Sequence, residues 1–186
     1  ETFGIDDDGP THDEAWSVAI QDNGRIVVAG TIGPDTDRMM VARLSADGDL
    51  DASFNLVGHR LIPFGFAPDS FGRGLAIRGD GSILVGGYAG NTETADFAVA
   101  AVRSDGTLDP DFGIGGRVMI DLGAEDGAFA LAVDSAGRIA LGGVRIANGN
   151  VDMAAVRLMP DGALDAAFGD AGQVIVPFDL DGPPGN

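Results

Sequence analysis

The stretch Asn23-Gly24-Arg25-Ile26-Val27-Val28-Ala29-Gly30 decides the fold, because the chain contains two further copies of it. They read Asp-Gly-Ser-Ile-Leu-Val-Gly-Gly at 80–87 and Ala-Gly-Arg-Ile-Ala-Leu-Gly-Gly at 136–143, at spacings of 57 and 56 residues. A second stretch, Asp-Gly-Asp-Leu-Asp-Ala-Ser-Phe at 47–54, returns at 105–112 and 161–168 with nearly the same period. Two anchors that share a period indicate three copies of a unit of about 57 residues.

Each unit contains four short segments that predict β-strands. Asn-Gly and Asp-Gly pairs between them accept the positive φ of tight turns, and the short apolar runs are typical of strands buried on both faces. A helix over 13–20 is disfavoured, because glycines in its copies each weaken a helix by about 1 kcal/mol. The predicted first strands of the units are 60–64, 117–120 and 173–178, and the second strands are 16–20, 74–77 and 130–133. The third strand of each unit is the repeated anchor, with Gly-Arg-Ile in two copies and Gly-Ser-Ile in the middle one, and the fourth strands are 38–44, 96–102 and 152–158.

Four strands in a unit of this length match a β-propeller blade. The strands are rich in Ala, Val and Gly, which lets neighbouring sheets approach closely. A β-solenoid is the main alternative, but its coils repeat over shorter periods. The sequence therefore predicts one all-β repeat domain over 1–186, with blades at 1–54, 55–112 and 113–168. Partial strands are expected at both ends, over 2–4 and within 169–186, the latter as the first strand of a next blade.

Charge and composition narrow the function classes. There are 29 acidic residues against 11 basic ones, all arginine, and the net charge of −18 repels nucleic acid and anionic membranes. No apolar run reaches the length of a transmembrane helix. The absence of cysteine excludes disulfides and thiolate chemistry. A lysine-free acidic surface suits a salty or calcium-rich exterior, so we expect an extracellular, cell-surface or periplasmic protein.

The pattern Asp-Gly-x-Leu-Asp-x-x-Phe-Gly, clearest at 105–113 and 161–169, together with the Gly-Arg-Ile-x-Val-Gly-Gly anchor, resembles the delta-60 repeat. That family is a bacterial β-propeller family of unknown function, found in large secreted and cell-surface proteins. The first copy departs from the pattern at Asn55, and the middle copy departs from its sisters at Ala101. The resemblance implies a secreted β-propeller scaffold, and it supplies no catalytic residues.

Three blades are fewer than the four to eight that close known rings. We therefore expect an excerpt of a longer propeller, two chains that complete a six-bladed ring, or an open stack within a larger assembly. Exposed apolar surface marks interfaces. The predicted partners are the chain itself or other protein subunits, bound through exposed blade edges.

Asp47, Asp49 and Asp51 have the spacing of the first ligands of a calcium loop. The glycine and the bidentate acid that complete such a loop are missing. The alternative is structural: Asp47 opens a turn with Gly48, and Asp51 caps the next turn before Phe54 packs inward. The run 6–9 has the same two interpretations. Calcium is thus an optional ligand, and no cofactor is required.

Trp16, Tyr88 and the loop at 91–94 differ between the copies. Loops on a rigid scaffold commonly carry binding, so these residues are the candidates for a recognition surface, although Trp16 also suits a core. Arg43 and Arg157 could line a channel and hold an anion; we favour ion pairs with nearby acids such as Asp51 and Asp165.

The functional prediction is a non-enzymatic secreted or surface scaffold that recognises partners through loops or blade edges. The alternative is a polysaccharide hydrolase or lyase with acidic residues at the centre of the propeller. A catalytic acid would have to occur in one specialised copy, whereas the outstanding charged positions are mostly repeated. Only two histidines, His12 and His59, are available, so a zinc site is disfavoured.

Overall fold

The computed structural model describes residues 13–33, 36–65, 67, 69–91 and 94–177. The predicted strand at 2–4, the acidic run 6–9 and His12 lie outside this part of the chain. Within it, no helix has the length and hydropathy that a membrane crossing requires. The strands are β1 (Glu14–Ile20), β2 (Ile26–Ile32), β3 (Arg38–Leu44), β4 (His59–Ile62), β5 (Ser70–Ile77), β6 (Ile83–Ala89), β7 (Asp96–Val102), β8 (Arg117–Ile120), β9 (Glu125–Val133), β10 (Ile139–Ala147), β11 (Asn150–Leu158) and β12 (Gln173–Val176).

The strands form three antiparallel sheets of four, and each sheet takes its strands in chain order. We call them the first blade (β1 to β4), the second blade (β5 to β8) and the third blade (β9 to β12). The opening strands of adjacent blades are neighbours, since β5 contacts both β1 and β9. This architecture confirms the prediction of an all-β chain with three propeller-type blades.

The phase of the repeat differs from the prediction. The segments interpreted as opening strands at 60–64, 117–120 and 173–178 close the preceding sheet instead, as β4, β8 and β12. For example, Met39 of β3 pairs with Ile62 of β4. The boundaries drawn after 54, 112 and 168 therefore fall before the last strand of each sheet, and β12 completes the third blade. A sequence repeat fixes the period, but only hydrogen bonding fixes where a unit begins.

A β-bulge interrupts the opening strand of every blade. The register shifts pass over one residue in each strand, Trp16 in β1, Arg73 in β5 and Phe129 in β9. Beside each bulge stands the last glycine of the repeated anchor. A Cβ on Gly87 would lie 1.7 Å from the carbonyl oxygen of Phe71, and one on Gly143 would lie 1.9 Å from that of Gly127. The anchor therefore ends in glycine because the bulged backbone occupies the space of a side chain.

The hydrophobic core lies between the blades. One cluster joins the first and second blades, and the other joins the second and third. Along β6, Ile83 and Val85 belong to the former, whereas Leu84 belongs to the latter. Strand alternation thus supplies both clusters from one sheet, and the second blade is buried on both faces, as its continuous apolar strands predict.

The departure of the first copy at Asn55 has a backbone explanation. Asn55 has a φ of 50°, and its counterparts Gly113 and Gly169 have φ of 53° and 55°. Asparagine is among the few non-glycine residues that adopt this left-handed conformation readily. Its side chain also donates to the carbonyl oxygen of His59 at 2.8 Å, so the turn is preserved.

Candidate functional site

The candidate site is a cavity of about 230 Å³ between the second and third blades, a junction that we call the second seam. It is lined by Tyr88 and by Asn91 of the loop at 91–94, both singled out by the sequence, whereas residues 92 and 93 of that loop lie outside the described part of the chain. Its lining residues come from the two blades and from the loops before β5 and β7: Asp69, Phe71, Tyr88, Gly90, Asn91, Ala95, Glu125, Asp126, Gly127, Phe129, Val144 and Ile146.

Three aromatic rings form one side of the cavity. Tyr88 stacks on Phe71 with ring centroids 4.6 Å apart, and Phe129 meets Tyr88 edge-on at 6.2 Å. The Tyr88 ring lies against Gly127, where an added Cβ would come within 3.1 Å of it. Phe129 is about half exposed because the bulge directs it away from the core.

Asp126, at the start of β9, holds the two blades together. Its two carboxylate oxygens accept backbone hydrogen bonds from Phe97 and from Leu122, both at 2.8 Å. Burial raises the pKa of Asp126 to about 6, despite these two hydrogen bonds. The residue is 2% exposed, so its carboxyl group acts as a structural acceptor across the seam.

Among the described residues, one trio of potential ligands has mutually close carboxylate oxygens, all within 4.8 Å of one another: Asp96, Asp121 and Asp126. Burial, and then the neighbouring Asp121, raises the pKa of Asp96. These are the residues that could hold a cation here. Calcium takes six to eight oxygen ligands, and both oxygens of Asp126 already accept amide hydrogen bonds.

The junction between the first and second blades, the first seam, uses equivalent positions with different side chains. Ser70 stands where the second seam has Asp126, and its hydroxyl accepts a hydrogen bond from the backbone of Met39 at 2.9 Å. Arg73 stands where the second seam has Phe129. Its guanidinium carbon lies 3.8 Å from the ring centroid of Trp16, and its Nη2 donates to the Tyr88 hydroxyl at 3.1 Å.

Trp16 and Tyr88 therefore lie on one path. Arg73 links them, and Phe129 extends the row into the second seam. Trp16 is half exposed rather than part of the core. Asp126 and Phe129 were not among the site residues predicted from the sequence. The available signal was their divergence, since Asp126 aligns with Asp13 and Ser70, and Phe129 with Trp16 and Arg73.

Asp47, Asp49 and Asp51 are not a trio of this kind, because the described cluster with close carboxylate oxygens lies elsewhere. Asp47 and Asp49 are exposed, whereas Asp51 bonds to Ser53 and Arg43. Hydrogen bonds from Ser53, and then Arg43, lower the pKa of Asp51. The turn at Gly48 and the burial of Phe54 match the structural interpretation. Calcium binding here stays a prediction.

The favoured partners of Arg43 and Arg157 are confirmed. Nε of Arg43 lies 2.8 Å from Asp51, and Nε of Arg157 lies 2.7 Å from Asp165. In the middle copy, where alanine replaces the arginine, Arg103 pairs with Asp109 from a more exposed position. These arginines are therefore committed to ion pairs in the blade corners.

The family profile described as "Domain of unknown function (DUF5122) beta-propeller" matches residues 21–54, 78–112 and 137–168, more than half of the chain. No curated protein matches the chain in such a comparison. The match follows the three copies of the repeat and agrees with the resemblance to the delta-60 repeat. The chain belongs to the DUF5122 β-propeller family.

Proposed function

We propose that the chain is a non-enzymatic β-propeller scaffold, placed outside the cytoplasm, that binds a second copy of itself head to tail. The contact joins the outward face of the first blade to the outward face of the third. The observation that carries this proposal is the exposure of Val18 and Ile20, 65% and 72%. Their counterparts Leu75 and Ile77 pack against the core cluster of the preceding blade.

The opposite end has a matching surface. Met153 of the third blade is 52% exposed, whereas its counterparts Met39 and Phe97 are completely buried beneath the next blade. Each end therefore presents the surface that the other end contacts inside the repeat. Such a heterologous interface is complementary without being symmetric, and it generates rings or filaments.

Backbone hydrogen bonds at the corners of the blades also join each blade to the next. The amide of Asn55 donates to the carbonyl oxygen of Asp105 at 2.6 Å, and that of Gly113 donates to Asp161 at 2.8 Å, both across a seam. Asp47 is the counterpart of these acceptors in the first blade, and Gly169 is the counterpart of the donors in the third. We infer that the Gly169 amide of one copy donates to the Asp47 carbonyl of the next.

The faces of the end blades suit self-association better than the edge strands of the blades do. The outer edge strands β4, β8 and β12 contain four residues each. Short edge strands offer few backbone groups for pairing with another chain. The hydrolase or lyase alternative would need an accessible acid with an unusual pKa. Among the described acids, Asp126 has the largest upward shift, and it is buried and hydrogen-bonded.

Sedimentation equilibrium tests the association. We expect a mass that rises with protein concentration and with added salt, because each copy carries a net charge of −18. Ile20→Asp should reduce the mass to that of one chain. Ile114→Asp is the matched control, since Ile114 is exposed but lies on a corner of the second blade.

A wild-type chain that stays monomeric at high concentration and high salt would refute the association. Calcium at Asp47, Asp49 and Asp51 is tested by repeating the sedimentation run, and a chemical denaturation, with a chelator. If calcium is bound there, its removal should lower the mass or the stability of the protein. Fractionation of cells that make the protein tests its placement outside the cytoplasm.

A further inference from the structure

The cavity of the second seam combines aromatic walls with carboxylates. Six of its lining residues have these properties: Phe71, Tyr88, Phe129, Asp69, Glu125 and Asp126. None of the described lining residues is an arginine, a lysine or a histidine. The faces of aromatic rings attract cations through the ring quadrupole, and the carboxylates add a negative potential.

The first seam shows how this molecule fills an equivalent place. There the guanidinium of Arg73 lies over Trp16 and within 5.6 Å of the Tyr88 ring centroid. Arg73 and Phe129 are equivalent bulge residues. In the second seam the bulge therefore supplies another ring instead of a cation. Arg73 also lies 5.7 Å from the ring centroid of Phe71, so among the described residues Phe129 is the ring of the cavity that has no cation beside it.

Charged side chains close to the cavity carry more negative than positive charge. Asp96 and Asp121 lie next to Asp126. Arg73 does not line the cavity, and it bonds to the Tyr88 hydroxyl. Arg145 is committed to the carbonyl oxygen of Leu122, to which its Nε donates at 2.8 Å. Two arginines thus oppose five carboxyl groups.

The walls favour an organic cation over a metal ion. Rings and the aliphatic side chains of Val144 and Ile146 provide no metal ligands, and the oxygens of Asp126 are already hydrogen-bonded. An alkylated ammonium has an apolar body that suits such walls, and it is the kind of ligand that aromatic cages recognise. A volume of about 230 Å³ accommodates a molecule of this small size.

We propose that the cavity between the second and third blades binds a small organic ammonium ion. Phe129 and Tyr88 contact its alkyl groups, and Glu125 contributes charge at the rim.

Isothermal titration calorimetry of the full chain with choline tests this site. Its neutral isostere 3,3-dimethyl-1-butanol is the ligand control. We expect choline to bind and the isostere to bind at least about tenfold more weakly, since only choline carries the charge. Phe129→Leu should weaken choline binding about fivefold through loss of the ring, and Glu125→Gln about threefold.

Met159→Ala is the matched protein control, because Met159 is an exposed apolar residue in the turn after β11 of the same blade and does not line the cavity. Its affinity for choline should equal that of the wild type. Equal binding of choline and the isostere, no detectable heat with choline, or unchanged affinity in both cavity variants would each overturn the proposal. The Ile20→Asp monomer should still bind choline, which separates this site from the end-face contact.

Discussion

The two seams of this molecule share a backbone and differ in a few side chains. Each has a bulge beside a glycine and a side-chain acceptor at the start of the following blade. The first seam uses Ser70 and Arg73 at these positions, and the second uses Asp126 and Phe129. The comparison teaches that the repeat preserves how blades join, while single positions within the joint are open to specialisation.

The feature that both seams share should show the largest effect when it is broken. Gly143→Ala places a Cβ 1.9 Å from a backbone oxygen, so the bulge cannot persist, and we expect a loss of about 4 kcal/mol in unfolding free energy. Gly142→Ala is the control, because a Cβ there meets nothing within 4 Å. Urea denaturation measures both. Equal stability of the two variants would contradict the role of the bulge.

The first seam has a cross-blade contact at Arg43. This arginine is 4% exposed, pairs with Asp51, and donates from Nη1 to the carbonyl oxygen of Ser104 in the second blade at 2.6 Å. Arg43→Ala should cost about 3 kcal/mol, because it removes the hydrogen bond to Ser104 across the seam and leaves the largely buried Asp51 carboxylate less compensated.

Arg103→Ala sharpens this test, since its ion pair lies at the surface. Its loss should cost less than about 1 kcal/mol in the same urea denaturation. The second blade has Ala101 at the position of Arg43. If Arg43→Ala proves as mild as Arg103→Ala, the arginine does not join the first two blades.

Asp126 makes the second seam sensitive to pH. Its folded pKa of about 6 lies above the ordinary value of 3.8, so the folded state binds the proton more tightly than the unfolded state. The resulting stabilisation is fully present below about pH 4 and is lost as the pH rises through about 6. The deficit of Asp126→Ala relative to the wild type should therefore be about 2 kcal/mol larger at pH 4.5 than at pH 7.5.

Ser70→Ala is the counterpart in the first seam. A hydroxyl does not titrate in this range, so its deficit relative to the wild type should be the same at both pH values. Chemical denaturation at pH 4.5 and 7.5 measures all three proteins. A pH-independent deficit for Asp126→Ala would show that burial does not shift its pKa as described.

Much of the fold could be predicted from the sequence because the information is local and repeated three times. Turn pairs, apolar runs and the spacing of Phe54 and Phe112 indicate strands, blades and buried corners, and the Arg43 and Arg157 ion pairs follow from proximity in sequence to their acids. The residue at which each blade begins could not be predicted from such local patterns. It depends on pairing between β3 and β4, which are separated by a turn of 14 residues, 45–58.

Only part of the candidate site could be predicted from the sequence. Variation between copies led to Trp16 and Tyr88. The same variation includes Phe129, which aligns with Trp16, but only the bulge shows that this position is turned away from the core. Asp126 resembles any turn aspartate until the neighbouring blade buries it.

The sequence by itself determined that this protein is a stack of β-blades, because period, turn chemistry and apolar runs act within each unit. Only the tertiary structure decided which residues meet between units. Contacts across a seam join residues such as Phe97 and Asp126, far apart in the chain, and burial between two sheets gives an ordinary carboxyl group its unusual pKa.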